Sequence, residues 1–201
     1  MAEVQASSTR SAARGPKPKP LWTRAHHALD FVVLLVMVGS GMQIYNANQV
    51  FGGRGGATFP DVLTLGGWLA GGRHWHFGFM GLYALNLGVW IALLLLRRRH
   101  RLAVTGDVST LGHSQSEPKR RLAAHRIVYS LLLVVLGFSL LTGLAMYKPA
   151  QLWWLSGLFG SWQTLRVCHF ATIPALLVLV IAHGVISWRI GGLRFLRTMF
   201  V

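Results

Sequence analysis

The sequence predicts an all-α integral membrane protein, a four-helix bundle with both termini on the cytoplasmic side. Three observations predict it. Hydrophobic residues make up 53% of the 201-residue chain and charged residues only 12%, against roughly 25% charged in soluble domains. The apolar residues gather into four runs, about 24–46, 75–96, 123–147 and 167–188. Each is near the ~20 residues that a helix needs to cross a hydrocarbon core of roughly 30 Å. The third observation is where the 20 Lys and Arg lie. Five precede or open the first run, eight lie around the loop between the second and third, and three follow the fourth, against two in each remaining loop. Positive loops stay inside, so the termini and the middle loop are expected in the cytoplasm, as in a bacterial inner-membrane protein.

Residues 1–20 are polar, basic and broken by proline and glycine, so they are expected to be a disordered N-terminal segment ahead of one membrane domain, 21–201. The first span runs from Arg24 to Asn46. No small-residue cleavage site follows it cleanly, so it is expected to be retained. Its outward loop is glycine-rich (Gly52, Gly53, Gly55, Gly56). The second span begins near Trp75 and ends in the basic stretch at Arg97. The third begins near Ala123, and glycines such as Gly137 and Gly143 let helices, or a flat macrocycle, approach closely. Tryptophans 153, 154 and 162 suit an outer interfacial belt. A short amphipathic element is expected around Gln151 to Phe159. The fourth span follows from Val167 to Trp188.

The net charge of +15 does not indicate nucleic acid, because the charges lie between apolar runs rather than along one face. A single cysteine excludes a disulfide framework and a cysteine-ligated cluster.

The histidines carry the chemistry. His169 and His183 are 14 residues apart on the fourth span. On a helix that is about 40° short of four turns and about 21 Å of rise, so both rings leave nearly one face, one in each leaflet. Imidazoles inside a membrane are costly and usually functional. On the predicted topology His76 or His74 matches His169 at the outer level, and His27 or His26 matches His183 at the inner level. Two bis-histidine sites, each holding a haem iron, satisfy this pattern. Arginine precedes histidine by three residues in Arg24/His27, Arg73/His76 and Arg166/His169, one turn nearer the water, where a guanidinium can bind a haem propionate. This spacing selects His27 and His76 over their neighbours. Arg189, beyond His183, is placed for the same role. His125 is expected to be an interface residue without a depth-matched partner, and His100 and His113 to be solvated. Covalent attachment through C-x-x-C-H would need cysteine where Leu165 stands, so the two stacked haems are expected to be non-covalent and b-type.

These residues resemble a known family. Arg24-Ala-His-His27 with Gly39-Ser-Gly-Met-Gln-Ile-Tyr-Asn46-Ala47, then Arg73-His-Trp-His76-Phe77, resemble the first two spans of thiosulfate-reductase-type cytochrome b subunits. Leu141-Thr142-Gly143-Leu144-Ala145-Met146 with Pro149, and Arg166-Val-Cys-His169-Phe170 with His183, resemble the last two. Those subunits belong to the bacterial cytochrome b561 and nickel-hydrogenase cytochrome b group, with the formate dehydrogenase gamma subunits. The resemblance implies a di-haem subunit that passes electrons between the quinone pool and a periplasmic redox partner, often a molybdopterin oxidoreductase. It places the ligands at His27, His76, His169 and His183. The chain departs from the family in its basic N-terminal extension, its short middle loop and Ala28, where tryptophan commonly follows the first ligand. The alternative, suggested by related cytochromes and the basic outer mouth (Arg54, Arg73, Arg166), is a stand-alone superoxide:quinone oxidoreductase.

Overall fold

The computed structural model describes residues 19–198, so the segment expected to be disordered lies, up to residue 18, outside the described residues. Among the described residues six α-helices form: α1 (Leu21–Ala47), α2 (Leu69–Arg97), α3 (Thr105–His113), α4 (Glu117–Tyr147), α5 (Trp153–Gly157) and α6 (Trp162–Arg197). The four long ones are apolar and long enough to span a membrane. They overrun the expected spans, α2 by six residues and α6 by five at their N-terminal ends. The basic and aromatic residues at the water's edge carry on the helix, and proline or glycine ends it. Pro20 precedes α1, Pro118 sits in the first turn of α4, and Gly192, at φ 65°, breaks α6 near its end.

The spans assemble as two hairpins. α1 packs along α2 and α4 along α6, while direct contact between α2 and α4 is sparse. The hairpins meet at mid-depth through a core of Val33, Tyr83, Leu87, Leu136 and Leu176. There the Tyr83 hydroxyl donates across the gap to the Leu136 carbonyl, 2.8 Å away. Facing outward are Phe31, Leu85, Val134 and Leu177, all exposed. Apolar outside with polar groups inside is the distribution that lipid demands.

At the outer end, the Asn46 side chain bonds both the N–H and the carbonyl of Phe59, each at 2.8 Å. The Leu65 N–H donates to the Gly39 carbonyl at 3.0 Å, which draws the outward loop down onto α1. Gly66 makes the turn into α2: its φ is 115°, and a Cβ there would lie 2.3 Å from the Gly72 nitrogen, so only glycine fits. The short element expected at 151–159 is α5, which buries Leu155 against Ala145 and Leu165.

The middle loop is more ordered than its basic composition suggests. It folds α3 against α4, fastened by Asp107, whose side chain is 1% exposed and pairs with the Arg126 guanidinium. Burial alone would raise the Asp107 pKa. The Val104 N–H at its carboxylate and the Arg126 charge outweigh burial and hold it below the ordinary carboxylate range.

Candidate functional site

At the outer level, the gap between the hairpins widens into a cavity of about 400 Å³. His76 enters it from α2 and His169 from α6, with ring centres 6.3 Å apart and planes at 84°. His74, two residues earlier and so on the other side of the helix, is exposed and lies against Trp75. Each inward imidazole is held from behind by the other helix of its own hairpin. His76 Nδ1 lies 3.1 Å from the Ser40 hydroxyl on α1, and His169 Nδ1 lies 2.9 Å from the Thr142 hydroxyl on α4. Both hydroxyl residues are fully buried.

A glycine follows each hydroxyl residue and admits the ring edge. A Cβ on Gly41 would lie 3.4 Å from His76 Cε1, and one on Gly143 would lie 3.2 Å from His169 Cε1. Arg73 and Arg166 line the cavity, as do Phe77 and Phe170. Arg73 lies over the Phe77 ring. Arg166 is partly committed elsewhere, donating to the carbonyls of Asn48 (2.5 Å) and Gln49 (3.3 Å), while Gln163 donates to Val50 at 2.7 Å. These bonds tie the end of α1 to the start of α6 across the mouth.

The outer pair fits an iron held between two imidazoles. With a metal–nitrogen bond of roughly 2.0–2.1 Å and a ring centre roughly 1.1 Å beyond the nitrogen, two opposed imidazoles place their centres about 6.3 Å apart. The chemistry of the donors agrees. Among the described residues no group of three or more His, Cys, Asp or Glu converges on a free metal ion. Two neutral imidazoles suit a haem iron, whose other four ligands come from the macrocycle.

The inner level holds a denser cluster. The His183 ring lies 4.9 Å from His125 and 6.1 Å from Tyr129. His183 Nδ1 is buried without a hydrogen-bond partner, a donor set that suits ligation. The expectation that His125 has no partner at its depth is therefore corrected. α4 starts at Glu117 rather than near 123, so His125 is already two turns into the helix and level with His183. At 4.9 Å the two rings are too close to hold an iron between them, which leaves His27 as the expected opposite ligand. His26 is engaged otherwise, its Nδ1 3.8 Å from Asp30 and its ring 4.5 Å from Trp90.

Of the arginines expected near this level, Arg24 is half-buried at the start of α1. Arg189 is exposed and accepts a hydrogen bond from Arg121 through its backbone carbonyl. His100 and His113 are exposed, as expected.

Gly143 stands out in the sequence as a close-approach glycine, whereas Ser40, Thr142 and Gly41 carry no signal of their own. Yet a hydroxyl residue followed by glycine, at matching heights of the first and third spans, repeats in the sequence. Pattern reading could have paired them.

No family model matches the chain, and no solved structure matches it. The chain is 29% identical over 177 residues to the putative protein-methionine-sulfoxide reductase subunit YedZ1 of Azospira oryzae, an alignment covering 82% of this chain and 86% of that protein. Four long apolar helices together with this likeness make the chain a multi-pass membrane protein similar to a reductase subunit.

Proposed function

We propose that the chain is a membrane electron-transfer subunit with two non-covalent b haems, linking the quinone pool to a periplasmic oxidoreductase. The single observation that carries this reading is the outer imidazole pair, set at the iron-spanning distance across a cavity bordered by arginines. A b haem supplies a one-electron ferric–ferrous couple whose potential follows from its axial ligands and burial. His76 and His169 hold the outer group, and His27 and His183 the inner one. Arg73 and Arg166 receive the outer propionates at the water's edge, with Arg24 and Arg189 in that role at the inner end. Val33, Leu87, Leu136 and Leu176 keep water out of the stretch between the sites. The positive-inside charge distribution supports a periplasmic position for the outer pair.

The likeness to a putative protein-methionine-sulfoxide reductase subunit supports a partner that reduces sulfoxides; a molybdopterin enzyme is the partner type that the family resemblance implies. Purified full-length protein, reduced with a quinol analogue, tests the proposal. A reduced b-type absorption spectrum developing on quinol addition is expected. A haem-free preparation, or haem that quinol cannot reduce, would overturn it.

A further inference from the structure

We infer that Ser40 and Thr142 are positioning residues that fix the tautomer of the two outer histidines. This rests on the reading that those histidines ligate a haem iron. A neutral imidazole carries one proton, on Nδ1 or on Nε2, and only the nitrogen without it can bind a metal. A hydroxyl likewise has one proton to give. The Ser40 hydroxyl lies 2.5 Å from the Val36 carbonyl on its own helix and 3.3 Å from that of Met37, so its proton goes to the nearer. A hydroxyl whose proton is engaged can only accept, and the group 3.1 Å away is His76 Nδ1. His76 must therefore donate from Nδ1, where the Met37 carbonyl stands beside the Ser40 hydroxyl as a second acceptor, and its Nε2 is left with a lone pair.

Thr142 repeats the arrangement. Its hydroxyl donates to the Phe138 carbonyl at 2.8 Å, with Ser139 farther at 3.1 Å, and accepts from His169 Nδ1 at 2.9 Å. Both residues are 0% exposed, so no water competes for either bond.

The two hairpins thus carry one device, a hydroxyl residue followed by glycine, as Ser40-Gly41 and Thr142-Gly143. The hydroxyl sets the proton and the angle of the ring, and the glycine leaves space for its edge. A donated Nδ1–H bond also makes the ligating nitrogen more basic, which favours the ferric form.

The test uses the purified full-length protein with its haems and compares Ser40→Ala and Thr142→Ala with the exchanges Ser40→Thr and Thr142→Ser. In the alanine variants the outer haem should shift in its electron paramagnetic resonance signal. It should also lose about tenfold in ferric-over-ferrous binding, which for one electron raises its midpoint potential by about 59 mV. The inner haem should not move, and the Ser/Thr exchanges should restore the wild-type values. An outer haem unchanged by both alanine substitutions overturns the inference. So do both haems shifting together, or exchanges as disruptive as alanine, since either marks a general packing role. A wild-type protein without haem would instead overturn the reading beneath it.

Discussion

Replacing Gly143 with alanine adds a methyl group where α4 meets the His169 ring. Its carbon would lie 3.2 Å from Cε1, 3.8 Å from Nδ1 and 3.9 Å from Nε2. Carbon atoms pack best at about 3.5–4.0 Å, so the ring must retreat by a few tenths of an ångström. A ligating side chain tolerates a displacement of about 0.5 Å at most before its geometry fails. Gly143→Ala therefore sits near the limit, and Gly143→Val, with two further methyls, exceeds it. The fold itself should change little. Alanine in a helix interior gains about 1 kcal/mol over glycine, against an overpacking cost of about 1–3 kcal/mol. The loss should fall on the outer haem, whose retention should drop by roughly tenfold in Gly143→Ala and be abolished in Gly143→Val. Gly41→Ala is the internal comparison. Its added carbon would lie 3.4 Å from His76 Cε1, at the edge of ordinary contact, and should leave the haem in place. Haem per chain, measured by pyridine haemochrome after detergent extraction, together with the melting temperature, gives both quantities. A Gly143→Val protein that keeps two haems and an unaltered spectrum would refute the reasoning.

The remaining predictions concern the inner level, the middle loop and the topology. His27→Ala and His183→Ala should each remove the same second haem, while His26→Ala, His74→Ala and His125→Ala retain it. Loss on changing His26 rather than His27 would show that the arginine spacing selected the wrong neighbour. Asp107→Asn should destabilise the detergent-solubilised protein by about 1 kcal/mol at neutral pH, because a hydrogen-bonded ion pair with a partly exposed Arg126 is lost. The Asp107 pKa is depressed in the folded state, so its contribution is present above the unfolded value of about 3.9 and is lost as pH falls through the folded value. The gap in melting temperature between wild type and variant should accordingly close on acidification, and a gap that is constant with pH would contradict the assignment. A fluorescent-protein fusion at the C-terminus should be active and an alkaline phosphatase fusion there inactive, since three Lys/Arg flank the fourth span on that side.

The spans were legible because lipid imposes a simple rule: about twenty apolar residues in a helix, with cations left inside. Their ends were not, since Arg73, Trp162 and Arg166 are compatible with helix as well as loop, and the ends are marked by single residues such as Pro20, Gly66, Pro118 and Gly192. Depth alone set His76 or His74 level with His169. The choice of His76 over His74 followed from Arg73, and the structure turns His76 inward and leaves His74 exposed. His125 was misjudged because its depth was counted from the start of the apolar run. The polar first turns of α4, Glu117 to Leu122, add the rise that brings it level with His183. The matching Ser40-Gly41 and Thr142-Gly143 steps stand in the sequence, but their contacts do not. Which hydroxyl touches which imidazole depends on the pairing of α1 with α2 and of α4 with α6, a tertiary fact that no local pattern carries.

The central claim is that His76 and His169 face each other across one iron. Haem content in the purified protein, measured for wild type, His76→Ala, His169→Ala and the double variant, tests it most directly. Two b haems per chain in the wild type and one in each of the three variants, with the same spectral component missing every time, is the expected result. A double variant that loses both haems while either single variant loses one would contradict it, because the two histidines would then serve separate groups.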